Sequence, residues 1–226
     1  MTEKPRAWLS WSSGKDSALA LHETLAAGDV ELVGLLTTVN STADRVAMHA
    51  VRRRLLLEQG ERLGLAVNVI ELPWPCPNDV YEQRMAAAVR AAAAAGVERM
   101  VFGDLYLEDV RAYRSTALAG SGITPVFPLW GRDTRDLARE VIALGIRAVV
   151  TCVDPRQIPA SLCGSWYDEM FLRSLPTSAD PCGENGEFHT FVAATPDFAT
   201  PIEVSVGEIV ERDGFVFADV VPADPT

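Results

Sequence analysis

Ser12-Ser13-Gly14-Lys15-Asp16-Ser17 brings three hydroxyls, a glycine, an ammonium and a carboxylate into six consecutive positions. The segment follows an apolar run, Ala7 to Trp11, and precedes a helical pattern from Ala18 to Leu25. A strand, a tight loop and a helix start together make a phosphate site. The first N–H groups of a helix lack intrahelical partners, and the dipole there favours negative charge. Gly14 permits close backbone approach. Lys15 adds a full positive charge, and Ser12, Ser13 and Ser17 add hydroxyl donors. A Walker A loop requires Gly, four residues, then Gly-Lys-Ser/Thr. Here Leu9 stands five before Gly14 and Asp16 follows Lys15. The magnesium-binding hydroxyl is out of place, which argues against γ-phosphate transfer. A serine-capped helix is the plain alternative, but capping does not require Gly-Lys-Asp. Asp16, in the first helical turn, either complements the dipole or holds magnesium on a polyphosphate. The second role is favoured because a bare carboxylate would repel the phosphates.

A second cluster lies late in the chain, at Pro181-Cys182-Gly183-Glu184-Asn185-Gly186-Glu187-Phe188-His189-Thr190. Polar groups this dense on a glycine-rich loop suggest a substrate site more than a surface turn. Glu184, Glu187 and His189 are candidates for acid, base or ammonium-binding work. Between the clusters, Phe102-Gly103-Asp104-Leu105 ends an apolar run. Gly103 would allow close approach there, and Asp104 would hold magnesium or a ribose hydroxyl. Thr37, at the end of another apolar run, is a candidate adenine contact. His49, read as early on the following helix, is a candidate phosphate or substrate contact.

These residues need a frame that gathers loop ends at one edge. Apolar, β-rich runs at 7–12, 31–39, 67–72, 99–104 and 124–129 alternate with helical patterns at 16–27, 46–63, 78–95 and 109–119. Gly28, Gly64, Gly96 and Gly120 sit near the ends of those helices, as C-terminal caps do. Strands alternating with helices imply a parallel sheet of right-handed βαβ units. The expectation is an α/β fold: a Rossmann-like, five-stranded parallel sheet with helices on both faces, followed by a smaller α+β part. The first domain is expected over 1–130 and the second over 131–226. In the second, 133–144 reads as helix, 146–153 as a buried strand and 166–175 as an amphipathic helix. A turn-rich loop follows at 176–185, and 202–221 reads as a hairpin around Arg212-Asp213-Gly214.

The 226 residues, 48% hydrophobic, suffice for a large core. No run approaches the ~20 apolar residues of a membrane span, and the start shows no secretory signal. Cys76, Cys152, Cys163 and Cys182 lie far apart, with no C-x-x-C. That spacing suits a reducing cytoplasm and argues against a zinc site or a disulfide framework. The net charge of −11 argues against a nucleic-acid partner, since phosphate-backbone binding needs Lys and Arg. Arg52-Arg53-Arg54 reads as a solvated helix face. The oligomeric state is left open, a homodimer among the options.

The first loop resembles the S-G-G-K-D-S loop of the PP-loop ATP pyrophosphatases, with Ser13 in place of the usual first glycine. Together with G-D-L-Y-L-E-D-V-R midway, P-L-W-G-R at 128–132 and G-E-N-G-E-F-H-T late, it resembles the diphthine–ammonia ligase family over about residues 7–221. The resemblance implies an adenine-nucleotide α-hydrolase (HUP) domain carrying ATP and a smaller substrate-side domain. It also implies activation of a carboxylate as its acyl-adenylate, release of pyrophosphate, and attack by ammonia or an amine. ATP and Mg2+ are the implied cofactors. The residues carried over are Ser12 to Ser17, Gly103, Asp104, Glu184, Gly186, Glu187 and Thr190. The family's late motif reads G-E-G-G-E-Y-E-T. Here Phe188 replaces the Tyr and His189 the last Glu, which turns the expectation toward a carboxylate other than diphthine. Two other readings of the same loop are a nucleotide sensor without turnover and a sulfur transferase using Cys182 or Cys163.

Overall fold

In the computed structural model, which describes residues 3–223, the apolar runs of the first half become strands β1 (Arg6–Ser10), β2 (Glu31–Asn40), β4 (Val67–Leu72), β5 (Arg99–Val101) and β6 (Thr124–Val126). All pair in parallel, in the order β4-β2-β1-β5-β6. Between them run α1 (Lys15–Ala27), α2 (Arg53–Leu63), α3 (Asn78–Ala94) and α4 (Glu108–Leu118). The two faces follow from the strand's period of two. Ala7 and Leu9 of β1 pack with Leu19 and Leu21 of α1 and Leu55 of α2. Trp8, between them, packs on the opposite face with Val89 of α3 and Leu118 of α4. Burial on both faces is why these strands read as continuous apolar runs. The chain leaves β1 on one side and β5 on the other, so the loops after these strands flank the switch point where such sheets bind ligands.

The second half supplies α5 (Thr134–Ala143), β7 (Arg147–Val153), α6 (Glu169–Ser174), β8 (Phe188–Ala194), β9 (Val204–Arg212) and β10 (Phe215–Pro222). The four strands form an antiparallel sheet, β8-β7-β10-β9. The Asp133 side chain caps α5 by accepting from Arg135 N and Asp136 N. The β9–β10 turn places Asp213 and Gly214 at φ 53 and 78, as the tight hairpin expected there requires. The buried core runs on through both sheets, from Leu9 and Leu21 to Val149, Phe191 and Val216. Among the described residues no helix is long and apolar enough to cross a membrane.

Three expectations are corrected. The first sheet has a sixth strand, β3 (Arg45–Val46), antiparallel to the end of β2. The helix expected over 46–63 begins only at Arg53. Met48 and Ala50 take left-handed φ values of 61 and 55, which no helix tolerates. Asp219 of β10 holds this turn by accepting from Arg45 and Arg52. Tertiary pairing thus overrides local propensity. The helix expected over 166–175 shortens to α6, because Trp166 pairs with Val149 as an isolated bridge.

Candidate active site

The phosphate loop is held from below by groups distant in sequence. Ser13 sits at φ 69 and is fully buried. Its carbonyl accepts from Val192 N of β8 (2.8 Å) and from Gln59 Nε2 of α2 (3.2 Å). Gln59 also donates to Val192 O and accepts from Trp11 Nε1. Ser12 Oγ accepts from Gly14 N and lies 3.2 Å from Ser17 Oγ, and Ser17 Oγ donates to Gly14 O. Lys15 N, the first amide of α1, donates to Thr190 Oγ1 at 3.1 Å. The late strand therefore forms part of the floor under the first loop.

Above this floor lies a cavity of ≈ 490 Å³. Ser12, Lys15, Asp16 and Ser17 enter it from the first loop, and Thr37 enters from the end of β2. His49 lines it from the turn before α2, Gly103 and Asp104 from beyond β5, Glu184 from the late loop and His189 from the start of β8. Three expected residues do not line it. Ser13 Oγ is buried without a hydrogen-bond partner among the described residues. Gly14 lies under His49, whose Cε1 would be 2.7 Å from an added Cβ. The buried Glu187 carboxylate accepts from Asp180 N, Asn185 N and Asn185 Nδ2. It braces its own loop rather than serving as a free acid or base. His49 also stands in the turn rather than on the helix.

Gly103 has a steric reason. A Cβ there would stand 3.0 Å from Asp16 O and 3.1 Å from Ser17 N, so any side chain would force the β5 loop and the first turn of α1 apart by a few tenths of an ångström. Asp104 accepts from Arg114 Nε at 3.3 Å. Arg114, which also lines the cavity, escaped the sequence reading. Its signal was periodicity, since Leu107, Val110 and Arg114 share one helical face toward the cavity. Arg111 of the G-D-x-x-x-E-D-x-R stretch instead lies over Trp130, 4.5 Å from the ring. Gln59 was missed too, although it continues the buried Leu55–Leu56 face of α2.

The electrostatics separate the acid–base candidates. Burial, reinforced by the charges of Asp16 and Asp104, pushes Glu184 up to about 7, although Leu105 N donates to it at 2.9 Å. Burial, with His49 and Lys15 nearby, pulls His189 down to about 3. This shift favours the neutral form of His189 at ordinary pH and so a hydrogen-bonding role for it. Burial also lowers His49. Its Nδ1 lies 2.9 Å from the Thr190 carbonyl, which can only accept, so Nδ1 carries the proton and Nε2 is an acceptor. The two imidazole rings are 4.7 Å apart. Burial alone would lower the pKa of Lys15, but Asp16, Cys182 and Glu184 outweigh it and raise it above its ordinary value.

The site fits a nucleotide and magnesium. Gly103 packs against the first turn of α1, and the cavity opens beside this contact, lined by Ser12, Lys15 and Ser17. Asp16, whose oxygens accept from Lys15 Nζ, and Asp104, which accepts from Arg114, line it and are the carboxylates that would hold magnesium. Among the described residues no three His, Cys, Asp or Glu side chains cluster as a metal cage. Magnesium commonly takes one or two carboxylates and draws its other ligands from phosphates and water.

A parallel sheet of this order, with this loop at its switch point, defines a nucleotide-binding protein of the PP-loop ATP pyrophosphatase class. The chain belongs to the diphthamide synthase family: the profile of the diphthamide synthase N-terminal domain matches residues 6–123, and that of the C-terminal domain matches residues 133–219. It is 25% identical over 230 residues to the diphthine–ammonia ligase of Homo sapiens, covering 92% of this chain and 86% of that one. The Bos taurus diphthine–ammonia ligase matches with the same identity and coverage. Among solved structures, the U34-tRNA thiolase NcsA from Methanococcus maripaludis aligns with a TM-score of 0.40 and 13% identity, over 63% of this chain and 59% of that one.

Proposed function

We propose that the chain is an ATP-dependent, AMP-forming ligase that adenylates a carboxylate other than diphthine and transfers ammonia or an amine to it. The observation that carries this reading is a single cavity with the phosphate loop on one wall and Glu184, a carboxyl balanced near neutrality, on the other. Residues 1–130 form the nucleotide side and 131–226 the substrate side. The substrate carboxylate attacks the α-phosphorus of ATP, the α–β bridge breaks, and pyrophosphate leaves. Charge developing on pyrophosphate is met by the α1 amides that follow Lys15 N, by Ser12 and Ser17, and by the positive charge of Lys15. Asp16 and Asp104 are the residues that would hold magnesium, which would supply further charge neutralisation. Thr37 faces the adenine end. Ammonium gives a proton to Glu184, and the ammonia formed attacks the acyl carbon. AMP departs with the electrons of the acyl–oxygen bond, and loss of a second proton leaves the amide. His49 and His189 act as neutral hydrogen-bonding groups beside the acyl portion.

The late loop motivates the choice of substrate. His189 puts a neutral ring where the family motif has a carboxylate, so a cationic head such as that of diphthine finds no counter-charge from it. Sulfur transfer is disfavoured because burial drives the Cys182 thiol far above its ordinary value, and its Sγ donates to Thr134 O. Four free cysteines suit a reducing compartment such as the cytoplasm. The test is to incubate the protein with Mg·ATP, ammonium and a panel of 18O-labelled carboxylates. AMP and pyrophosphate in equal amounts, with one 18O in AMP, are expected. Formation of ADP, or of AMP independent of any carboxylate, would falsify the assignment.

A further inference from the structure

The Lys15 side chain is 2% exposed, and its three ammonium protons are all engaged. Two oxygens of Asp16 lie 2.8 and 3.0 Å from Nζ, and the Cys182 carbonyl accepts the remaining bond. The rings of Tyr167 and Phe188 flank the ammonium at 5.3 and 5.1 Å. An ammonium has three donors and no acceptor, so a phosphate oxygen gains one only if a present partner gives it up. The late loop is otherwise held by bonds within itself and by ties to segments other than α1, among them Leu105 N to Glu184, Tyr106 Oη to Asp180 and Asn185, and Cys182 Sγ to Thr134 O. Asp180 accepts from Cys182 N, Glu187 holds Asp180 N and Asn185 N, and Tyr167 Oη donates to Pro181 O. Among the described residues, Lys15 Nζ makes the side-chain hydrogen bond that joins this turn to the start of α1.

We propose that Lys15 is a positioning residue that couples the two loops: a polyphosphate at Ser12–Ser17 competes with the Cys182 carbonyl for its ammonium, so nucleotide binding loosens the turn that carries Glu184. Of the three bonds, the one to Cys182 is the one that yields. Asp16 is the adjacent residue and moves with the same helix turn, whereas Cys182 belongs to a separate loop. The backbone tie from Lys15 N to Thr190 Oγ1 stays in place, so β8 remains docked while the turn at 182–187 loses its anchor on α1 and keeps its ties to Leu105, Tyr106 and Thr134. Entry of the carboxylate and the amine would then follow nucleotide binding.

The proposal rests on the nucleotide reading of Ser12–Ser17, and one experiment separates the two. Hydrogen exchange is followed on the full chain with and without magnesium and α,β-methylene-ATP, for wild type and Lys15→Met. Methionine keeps an unbranched stem against the two rings and removes the charge. In wild type the analogue should slow exchange at 12–17 and speed it at 182–187 by on the order of tenfold, the scale of one hydrogen bond to a charged group. In Lys15→Met, residues 182–187 should exchange fast without nucleotide and not respond to it. No protection at 12–17 and no thermal shift with the analogue would defeat the nucleotide reading itself. Protection at 12–17 with 182–187 unmoved in wild type, or still responsive in Lys15→Met, overturns the coupling alone. If Lys15→Met does not fold, as circular dichroism would reveal, the wild-type comparison decides by itself.

Discussion

Ser13 holds a backbone conformation that suits glycine. Its φ of 69 lies in the left-handed region, and its buried hydroxyl has no partner among the described residues. The backbone conformation costs a non-glycine residue about 1–2 kcal/mol, and an unpaired buried hydroxyl costs about 1–3 kcal/mol. Glycine would relieve both while adding roughly 0.5–1 kcal/mol of unfolded-state freedom. Ser13→Gly is therefore expected to raise stability by about 1–4 kcal/mol, read as a higher denaturant midpoint at unchanged slope; an equal or lower midpoint refutes the strain argument. Glu184 gives the second residue-scale prediction. Its folded pKa of about 7 stands above the ordinary 4.5, so between these values the folded state binds more protons than the unfolded one. Its contribution to stability is complete below about 4.5 and is lost as pH rises through about 7. Glu184→Gln should flatten the fall in stability across this window, as measured by thermal melts at a series of pH values. The same variant should remove the rise in ammonia-dependent rate near pH 7, because that rise follows ionisation of the base. A pH–rate profile that keeps this rise in the variant would exclude Glu184 as the base.

At the scale of elements, the strands were legible because burial on both sheet faces produces apolar runs, and the helix ends because Gly28 and Gly64 cap them with φ 65 and 66. The segment before α2 was not legible. Its conformation is imposed by Asp219, 167 positions beyond Arg52, and no local pattern encodes such a partner. Glu187 and Glu184 illustrate the same limit within one loop. Both are acidic residues in a glycine-rich turn, yet one carboxylate is consumed by backbone amides and the other lines the cavity. Gly103 carries the clearest element-scale consequence, because the atoms that a Cβ would meet are the backbone of α1, not the ends of flexible side chains. Gly103→Ala must push the end of β5 away from the helix start. A cost of about 1–3 kcal/mol in stability is expected, together with at least tenfold weaker binding of an ATP analogue by calorimetry. A variant with wild-type affinity would show that the α1–β5 contact does not shape the nucleotide site.

The whole molecule binds its two sheets together at the site. The two family profiles divide the chain between residues 123 and 133, but the core does not divide there. Leu9 and Leu21 of the first half belong to the same buried cluster as Phe191 and Val216 of the second. The phosphate loop depends on this union, since Ser13 O and Lys15 N find their partners on β8. Surface charge adds a further tie, for Arg45 and Arg52 close on Asp219 of the second sheet. Arg53 pairs with Asp44 and Glu71. Two of the three consecutive arginines are thus engaged in ion pairs rather than presented as a basic patch, which agrees with the acidic balance of −11. A fragment severed at residue 130 would expose the apolar face that meets β8 and would leave Ser13 O and Gln59 without Val192. Buried groups deprived of partners cost about 1–3 kcal/mol each, which is large beside the ~5–15 kcal/mol stability of a typical domain. The full chain should therefore melt as one cooperative unit, with calorimetric and van 't Hoff enthalpies equal. The fragment 1–130 should show no cooperative transition and no binding of an ATP analogue. Two separable transitions in the full chain, or a fragment that folds and binds nucleotide alone, would mean that β8 supports the phosphate loop without being required to form it.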